Sequence, residues 1–381
     1  MQFYLAPLEG VTGHVFREAY DRYFHDVDKY FTPFLSANDH LNFKTKRELG
    51  LIEQDVPDQP DRDPDRDRSQ ALSTVPLHAP LVPQILTNHA EQTIALIDEI
   101  ASVRKIDEIN LNFGCPSGTV TGKNRGAGIF KDLIAMDDFL DRLFAGIGPG
   151  GRSSRAKNDK NEPETPSRGV KISLKTRIGW ADENEWEKIV RIYADYPFSE
   201  IIIHPRVRAD QYSKPCRTEA FAYALSHLDV PLCYNGEIHT VEEYEKLCKL
   251  FPTLDRVMLG RGIVKNPFLI RDIRRAGENH AEHTGIGHAD MNGRAGTASN
   301  DIGRASNEST PEEMKIRHDF VMTLEEQYLQ EMRCEEHAVM RMKEFWLYFG
   351  TSFPDCGKAL KAVKKARTLQ EYRLATLQIP W

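Results

Sequence analysis

The sequence predicts an α/β fold, a (β/α)8 TIM barrel, followed by a small C-terminal all-helical domain. Two observations predict it. Short apolar runs rich in Val and Ile alternate with helically spaced segments eight times over about 270 residues. After residue 311 the strand-like runs stop, and only amphipathic helical segments follow. A doubly wound sheet shares the alternation, but no GxGxxG follows the first run.

The runs, in order, are FYLAP (3–7), KYFTPF (29–34), PLVPQIL (80–86), IDEINL (106–111), VKISLK (170–175), EIIIH (200–204), VPLCY (230–234) and DRVMLG (255–260). Pro, Gly, Asn or Asp bound several of them, as strand ends require. Between them, residues 88–101 place Ile94, Ile97 and Ile100 on one helical face, with Asn88 as the expected N-cap. Residues 241–250 repeat the pattern. In the tail, PEEMKIRHDFVMTLEEQYLQEM, EEHAVMRMKEFWLYF and GKALKAVKKARTLQEYRLATL read as three helices.

Three stretches cannot bury enough apolar area to offset the entropy of ordering. They are QDVPDQPDRDPDRDRSQ (54–70), GPGGRSSRAKNDKNEPETPSRG (148–169) and the Gly-, Asn-, Ser- and His-rich residues 277–311. The expected organisation is therefore a barrel over 1–275 with insertions at about 54–79 and 148–169. A flexible linker over 276–311 and a helical domain over 312–381 complete it. The first insertion precedes strand three and is expected near the active face; the second precedes strand five and is expected at the opposite face.

Composition narrows the classes. Of 381 residues, 40% are hydrophobic and 28% charged, enough for a core, and no stretch approaches a membrane span. MQFYLAPLEG lacks a basic n-region and an apolar h-region, so a secretory signal is not expected and a cytoplasmic location is; the protein is also expected to be a monomer. The net charge of −7 argues against indiscriminate nucleic-acid binding. None of the six cysteines forms a CxxC pair, so no disulfide framework is expected, and no metal.

In a parallel barrel, functional groups gather where strands end. The expected ends carry Pro7-Leu8-Glu9, Gln84, Asn112 with Cys115, Lys175 with Arg177, His204 with Arg206, Asn235-Gly236-Glu237, and Gly260-Arg261. Gly236 and Gly260 let backbone N–H groups approach an anion, and Arg261 adds a charged fork, which is a recurrent phosphate site after strands seven and eight. Lys175 suits negative charge on a ring above the barrel, and Gln84 suits a ring carbonyl or N–H. A phosphate plus a flat polar ring suggests FMN. Cys115 lies in a loop between Gly114 and Pro116, ahead of the Gly-rich, basic SGTVTGKNRGAG. Structural cysteines sit in apolar runs, as Cys233 and Cys248 do; a loop thiol over a flavin face suits proton donation.

At these residues the sequence resembles the tRNA-dihydrouridine synthases, FMN enzymes that reduce uridine in tRNA. LAPLEGV resembles the family's N-terminal flavin motif, and INLNFGCPSGTVTGKNRGAGIFKD its catalytic cysteine region. LKTRIGW, IIIHPRVRADQY, YNGEI and VMLGRGIVKNP resemble later segments in order, over roughly residues 3–275. RMKEFWLYF resembles the RNA-binding helical domain more loosely. Position 205 is Pro where the family has Gly, and Leu8 stands where Met is frequent. The resemblance implies FMN on Pro7, Leu8, Glu9, Gln84, Lys175, His204, Asn235, Gly236, Glu237, Gly260 and Arg261. It implies NADPH as reductant, hydride delivery to C6 and proton delivery to C5 by Cys115. Asn112, Arg177 and Arg206 are expected to meet the substrate.

An RNA substrate needs cations. Between residues 340 and 373 eight basic residues face three acidic ones, with Arg341 and Lys343 on one helix and Lys361, Lys364 and Lys365 on one face of another. With Lys123 and Arg125 beside the cysteine, they are expected to contact tRNA phosphates. Two rivals make other predictions. A small-molecule FMN reductase would turn over without RNA, and a silent RNA-binding barrel would have no chemical use for Cys115, Lys175 and Arg261 together.

Overall fold

The computed structural model describes residues 1–50, 77–148, 169–284, 310–332 and 334–381. Most of the insertions expected at 54–79 and 148–169, and most of the linker at 276–311, lie outside the described residues. The chain divides into two compact units, Met1–Ile263 and Val264–Trp381.

In the first unit the strands are β1 (Gln2–Leu5), β2 (Tyr30–Phe31), β3 (Leu35–Ser36), β4 (Leu81–Val82), β5 (Gln84–Leu86), β6 (Glu108–Phe113), β7 (Lys171–Arg177), β8 (Glu200–His204), β9 (Leu232–Tyr234) and β10 (Arg256–Leu259). One sheet runs β1-β10-β9-β8-β7-β6-β5-β3, and β2 pairs with β4. All these pairs are parallel. A parallel bridge between Tyr4 and Lys29 joins β1 to the start of β2 and closes the ring. The third expected run appears as β4 and β5 because Pro83 between them has no N–H for the ladder.

The two-residue period of a strand sorts side chains into layers inside this barrel. On β8, Glu200, Ile202 and His204 mark floor, middle and mouth. At the floor, Lys29 pairs with Glu108 (3.0 Å) and Glu200 (3.1 Å), and Arg256 and the Tyr4 hydroxyl also bond Glu200. Above them Tyr4, Ala6, Phe31, Val82, Ile202, Cys233 and Met258 form a dry core. The mouth is polar. The same parity that turns Glu108 inward at the floor therefore puts Asn110 and Asn112 in the upper layers of β6.

Helices α1 (His14–Phe24), α2 (Phe43–Glu48), α3 (Ala90–Val103), α4 (Gly118–Thr121), α5 (Leu133–Ile147), α6 (Glu185–Ala194), α7 (Thr218–His227), α8 (Val241–Leu250) and α9 (Arg261–Lys265) intervene. The helix expected to be capped by Asn88 begins one residue later, at Ala90. Its N-cap is His89, which makes no side-chain cap bond, because Asn88 is engaged elsewhere: it accepts from Arg125 Nε (3.1 Å) and donates to the Lys123 carbonyl (3.2 Å).

The second unit holds α10 (Leu269–Thr284), α11 (Pro311–Glu331), α12 (Glu335–Phe349), α13 (Gly357–Lys365) and α14 (Leu369–Thr376). Phe320, Leu324, Phe345, Trp346, Phe349 and Phe353 fill its core, and the Trp346 indole donates to the Tyr372 hydroxyl at 2.8 Å. The third helix expected in the tail is two. Thr368 Oγ1 accepts the Glu371 amide (3.2 Å), an N-cap that starts a new helix, and the Glu371 carboxylate accepts the preceding Arg367 amide (2.7 Å). Among the described residues no helix is long and apolar enough to cross a membrane.

Candidate active site

The mouth of the barrel is organised by amide pairs. Gln84 Nε2 donates to Asn110 Oδ1 at 2.8 Å, and Asn112 Nδ2 donates to Gln84 Oε1 at 2.7 Å. Asn110 in turn donates to Ser173 Oγ on β7. The remaining oxygen of Asn112 accepts the amides of Gly114 (3.0 Å) and Cys115 (2.9 Å). One strand residue thus fixes both the polar floor of the mouth and the start of the cysteine loop. Asn110 was not among the residues expected from the sequence; its signal is the Asn-x-Asn alternation on β6.

The loop around Cys115 is held from three more sides. Arg177 is 1% exposed and donates to the carbonyls of Gly114 (3.0 Å), Val207 (3.1 Å) and Gln211 (2.9 Å). Arg208 Nε donates to the Pro116 carbonyl at 3.2 Å. Gly126, with φ of 55°, packs under the cysteine, and a β-carbon there would stand 2.8 Å from the Cys115 carbonyl oxygen. Burial pushes the Cys115 thiol up and Glu9 adds to it, against the Ser117 amide, Arg177 and Lys175. The thiol is therefore protonated at neutral pH.

Lys175 stands beside it. Burial, then Arg177, push its ammonium down to about 8. Among the described residues no acceptor or carboxylate is bonded to its Nζ. A half-buried amine with no protein partner among the described residues is suited to an anion or a ring acceptor brought by a ligand. His204 lies well below its usual range because burial and the cations Arg177, Lys175, Arg206 and Arg261 disfavour its charged form. Arg206 Nη1 lies 3.1 Å from His204 Nε2 and has only hydrogens to offer, so Nε2 accepts and the ring proton sits on Nδ1.

The ends of β9 and β10 supply the rest. Glu237 bridges Arg206 (2.6 Å) and Arg261 (2.5 Å); although burial pushes its carboxyl up, these guanidinium groups hold it below the usual range. Asn235 Nδ2 donates to the Met258 carbonyl at 2.8 Å. At Gly236 a β-carbon would collide with the Tyr234 ring, which Phe221 and Phe251 confine, so only glycine fits. Leu8, in the loop after β1 that also carries Pro7 and Glu9, is tied through its amide to Thr12 Oγ1 at 2.6 Å. Gly260 lies against this loop, near Ala6 and Leu8. Tyr212 lies under the guanidinium groups of Arg261 (4.7 Å) and Arg177 (5.3 Å) and edge-on to His204, and it is 48% exposed. It was missed in the sequence because a lone loop aromatic carries no spacing signal.

The expected residues do not all play one part. Pro7, Leu8, Glu9, Gln84, Asn112, Cys115, Lys175, His204, Asn235, Gly236, Glu237, Gly260 and Arg261 gather at the mouth. Arg177 and Arg206 are there too, but each is 1% exposed and bonded within the protein. Arg125, 8% exposed, ties Asn88, Ser36 and Asn38 together, and Lys123 is exposed beside it. Arg341, Lys343, Lys361, Lys364 and Lys365 belong to the second unit. There Arg341 pairs with Glu344 (2.8 Å) and Lys343 donates to the Ala366 carbonyl (2.8 Å), whereas Lys361, Lys364 and Lys365 are exposed.

A family model described as dihydrouridine synthase (Dus) matches residues 4–143 and 165–312. The chain is 26% identical over 288 residues to the tRNA-dihydrouridine(16) synthase of Aquipseudomonas alcaligenes, covering 73% of this chain and 77% of that one. To tRNA-dihydrouridine synthase B of Pseudomonas aeruginosa it is 23% identical over 270 residues, 71% and 68% of the two chains. It spans about half the length of the tRNA-dihydrouridine(16) synthase of Pseudomonas syringae, with 27% identity over 168 residues, 44% of this chain and 47% of that one.

Proposed function

Because the chain belongs to the dihydrouridine synthase family, we propose that it reduces the C5–C6 bond of uridines in the D-loop of tRNA to 5,6-dihydrouridine. FMN would be its hydride carrier and NADPH the reductant. The observation that carries this reading is the placement of the Cys115 loop, fixed by Asn112 and Arg177, beside Lys175, which has no protein partner among the described residues, at one polar mouth.

The residues fit FMN. Lys175 offers a half-buried donor with no protein acceptor among the described residues, Gly236 leaves a face no side chain can fill, and Arg261 and the Nδ1–H of His204 are donors for phosphate or ring oxygens. With Gln84, Asn235, Glu237, Gly260 and the Pro7-Leu8-Glu9 loop they would hold it. When bound and reduced, FMN supplies the hydride taken up at C6 of the uracil.

The chain's own residues supply the rest. Cys115 Sγ holds the proton that C5 receives: the S–H bond breaks, a C–H bond forms, and the thiolate left behind faces the positive charges of Arg177 and Lys175. Solvent returns the proton. Asn112 fixes the loop from which the thiol acts, and Arg177 and Arg208 keep that loop closed. A uridine reaching this mouth must leave its stack, at about a few kcal/mol, which contacts to the tRNA backbone must offset.

The direct test is anaerobic, single-turnover reoxidation of the NADPH-reduced protein, followed at the flavin absorbance band. Fast reoxidation with unmodified tRNA alone, yielding dihydrouridine, is expected. A yellow protein indifferent to tRNA would instead be a small-molecule reductase. A protein that cannot be loaded with FMN overturns the reading.

Two further results are expected. Lys175 is charged below about pH 8 and loses its proton above it, so FMN affinity should fall between pH 7 and pH 9. Lys175→Met should bind FMN about 10–100-fold more weakly, with no step at pH 8; fluorescence titration of the flavin measures both. Neutralising Lys361, Lys364 and Lys365 together should weaken tRNA binding and flatten its dependence on salt, because each phosphate left without a lysine keeps about one counterion that binding would otherwise release. NADPH oxidation by the free enzyme should not change. An unaltered salt slope removes this face from the RNA-binding surface.

A further inference from the structure

We propose that Asp21, His25 and His78 form a binding site for a divalent ion of the zinc class. They lie at the floor end of the barrel: Asp21 and His25 are one turn apart at the end of α1, and His78 precedes β4. One ligand atom from each lies within 4.8 Å of the other two. Zinc bonds of about 2.0–2.2 Å need these atoms slightly closer, a shift within reach of exposed imidazoles.

The donor set decides the ion. Two imidazoles and one carboxylate suit zinc, cobalt, nickel or copper, whereas calcium and magnesium demand oxygen ligands. The carboxylate is also held as a ligand's carboxylate is held. Asp21 is 5% exposed; Tyr30 donates its hydroxyl to Oδ1 at 2.9 Å, and the His78 amide donates to Oδ2 at 3.0 Å. His78 Nδ1 already contacts Asp21 Oδ1, and the His25 ring meets the His78 ring edge-on with centroids 5.3 Å apart. Closing His25 toward this pair brings three ligands around one point and leaves the remaining positions to water. The site ties the end of the first helix to the segment entering the third stave. It stands on the floor side, with the barrel core between it and Cys115, so its role is to clamp the fold, not to take part in the reaction.

The test is calorimetric titration of chelator-treated, FMN-loaded full-length protein with zinc, repeated with cobalt followed by visible absorption. One site is expected, with zinc raising the melting temperature and leaving the flavin spectrum unchanged. His25→Ala, at an exposed residue, should fold normally and bind at least about tenfold more weakly. Tyr30→Phe, which keeps the shape and removes one of the two bonds that orient Asp21, should cost about 10-fold. His25→Ala or His78→Ala titrating like the parent would place the ion elsewhere and overturn the assignment, as would a parent protein without a saturable site. In either case the pair is an ordinary imidazole–carboxylate hydrogen bond.

Discussion

Replacing Cys115 by alanine is expected to leave a folded protein that binds FMN and accepts electrons from NADPH, while uridine reduction falls about 10²–10⁴-fold. The physical ground is local. The Sγ is half-buried in a loop whose position is set by Asn112, Arg177 and Arg208 through main-chain atoms, so none of these supports depends on the thiol. What the variant loses is the proton for C5. Single-turnover assays of dihydrouridine, beside the flavin spectrum, separate the two effects. If the alanine variant lost the flavin, Cys115 would belong to the binding surface. Near-normal dihydrouridine yield would show that another group donates the proton.

Arg177→Met should have the second large effect, on stability and reaction together. The guanidinium holds three main-chain carbonyls from two loops in a site 1% exposed. Removing it leaves those carbonyls buried without donors, at roughly 1–3 kcal/mol for each that water cannot reach, so a total loss of about 3 kcal/mol is expected by denaturant unfolding. It also frees the Cys115 loop from the 207–211 segment. Arg177→Lys keeps the charge but cannot span all three acceptors, and it should recover only part of the loss. Were Arg177 instead a direct tRNA contact, stability would be unchanged and the apparent affinity for tRNA alone would fall, with lysine rescuing it.

The alternation of β-runs and helices was readable because burial imposes it. A barrel strand packs on both faces, so Val and Ile accumulate in EIIIH and the run stands out against polar helix faces. The strand ends were readable for a related reason. Lys175, His204 and Asn112 are polar residues at inward positions near the ends of their strands, where a ligand or a polar mouth accounts for them. Where local signals competed, the sequence misled. Asn88 looks like an N-cap, yet the Gly-rich loop beyond β6 takes its side chain, and Thr368 begins a helix within what reads as one amphipathic segment.

What the sequence by itself determined is the architecture and the chemical inventory: period, strand ends, a loop cysteine, glycines where backbone must come close. Only the tertiary structure decided which groups remain free to act. Arg177 and Lys175 are two residues apart on one strand, alike in charge and in inward direction. One is enclosed by carbonyls from loops 63 and 30–34 residues away along the chain, and the other meets no acceptor among the described residues. Nothing local to the strand separates them, because a hydrogen bond is formed by whatever folding brings within about 3 Å. The same holds for Asp21, His25 and His78, whose ligand atoms converge only because α1 and the entry to β4 meet at the floor of the barrel.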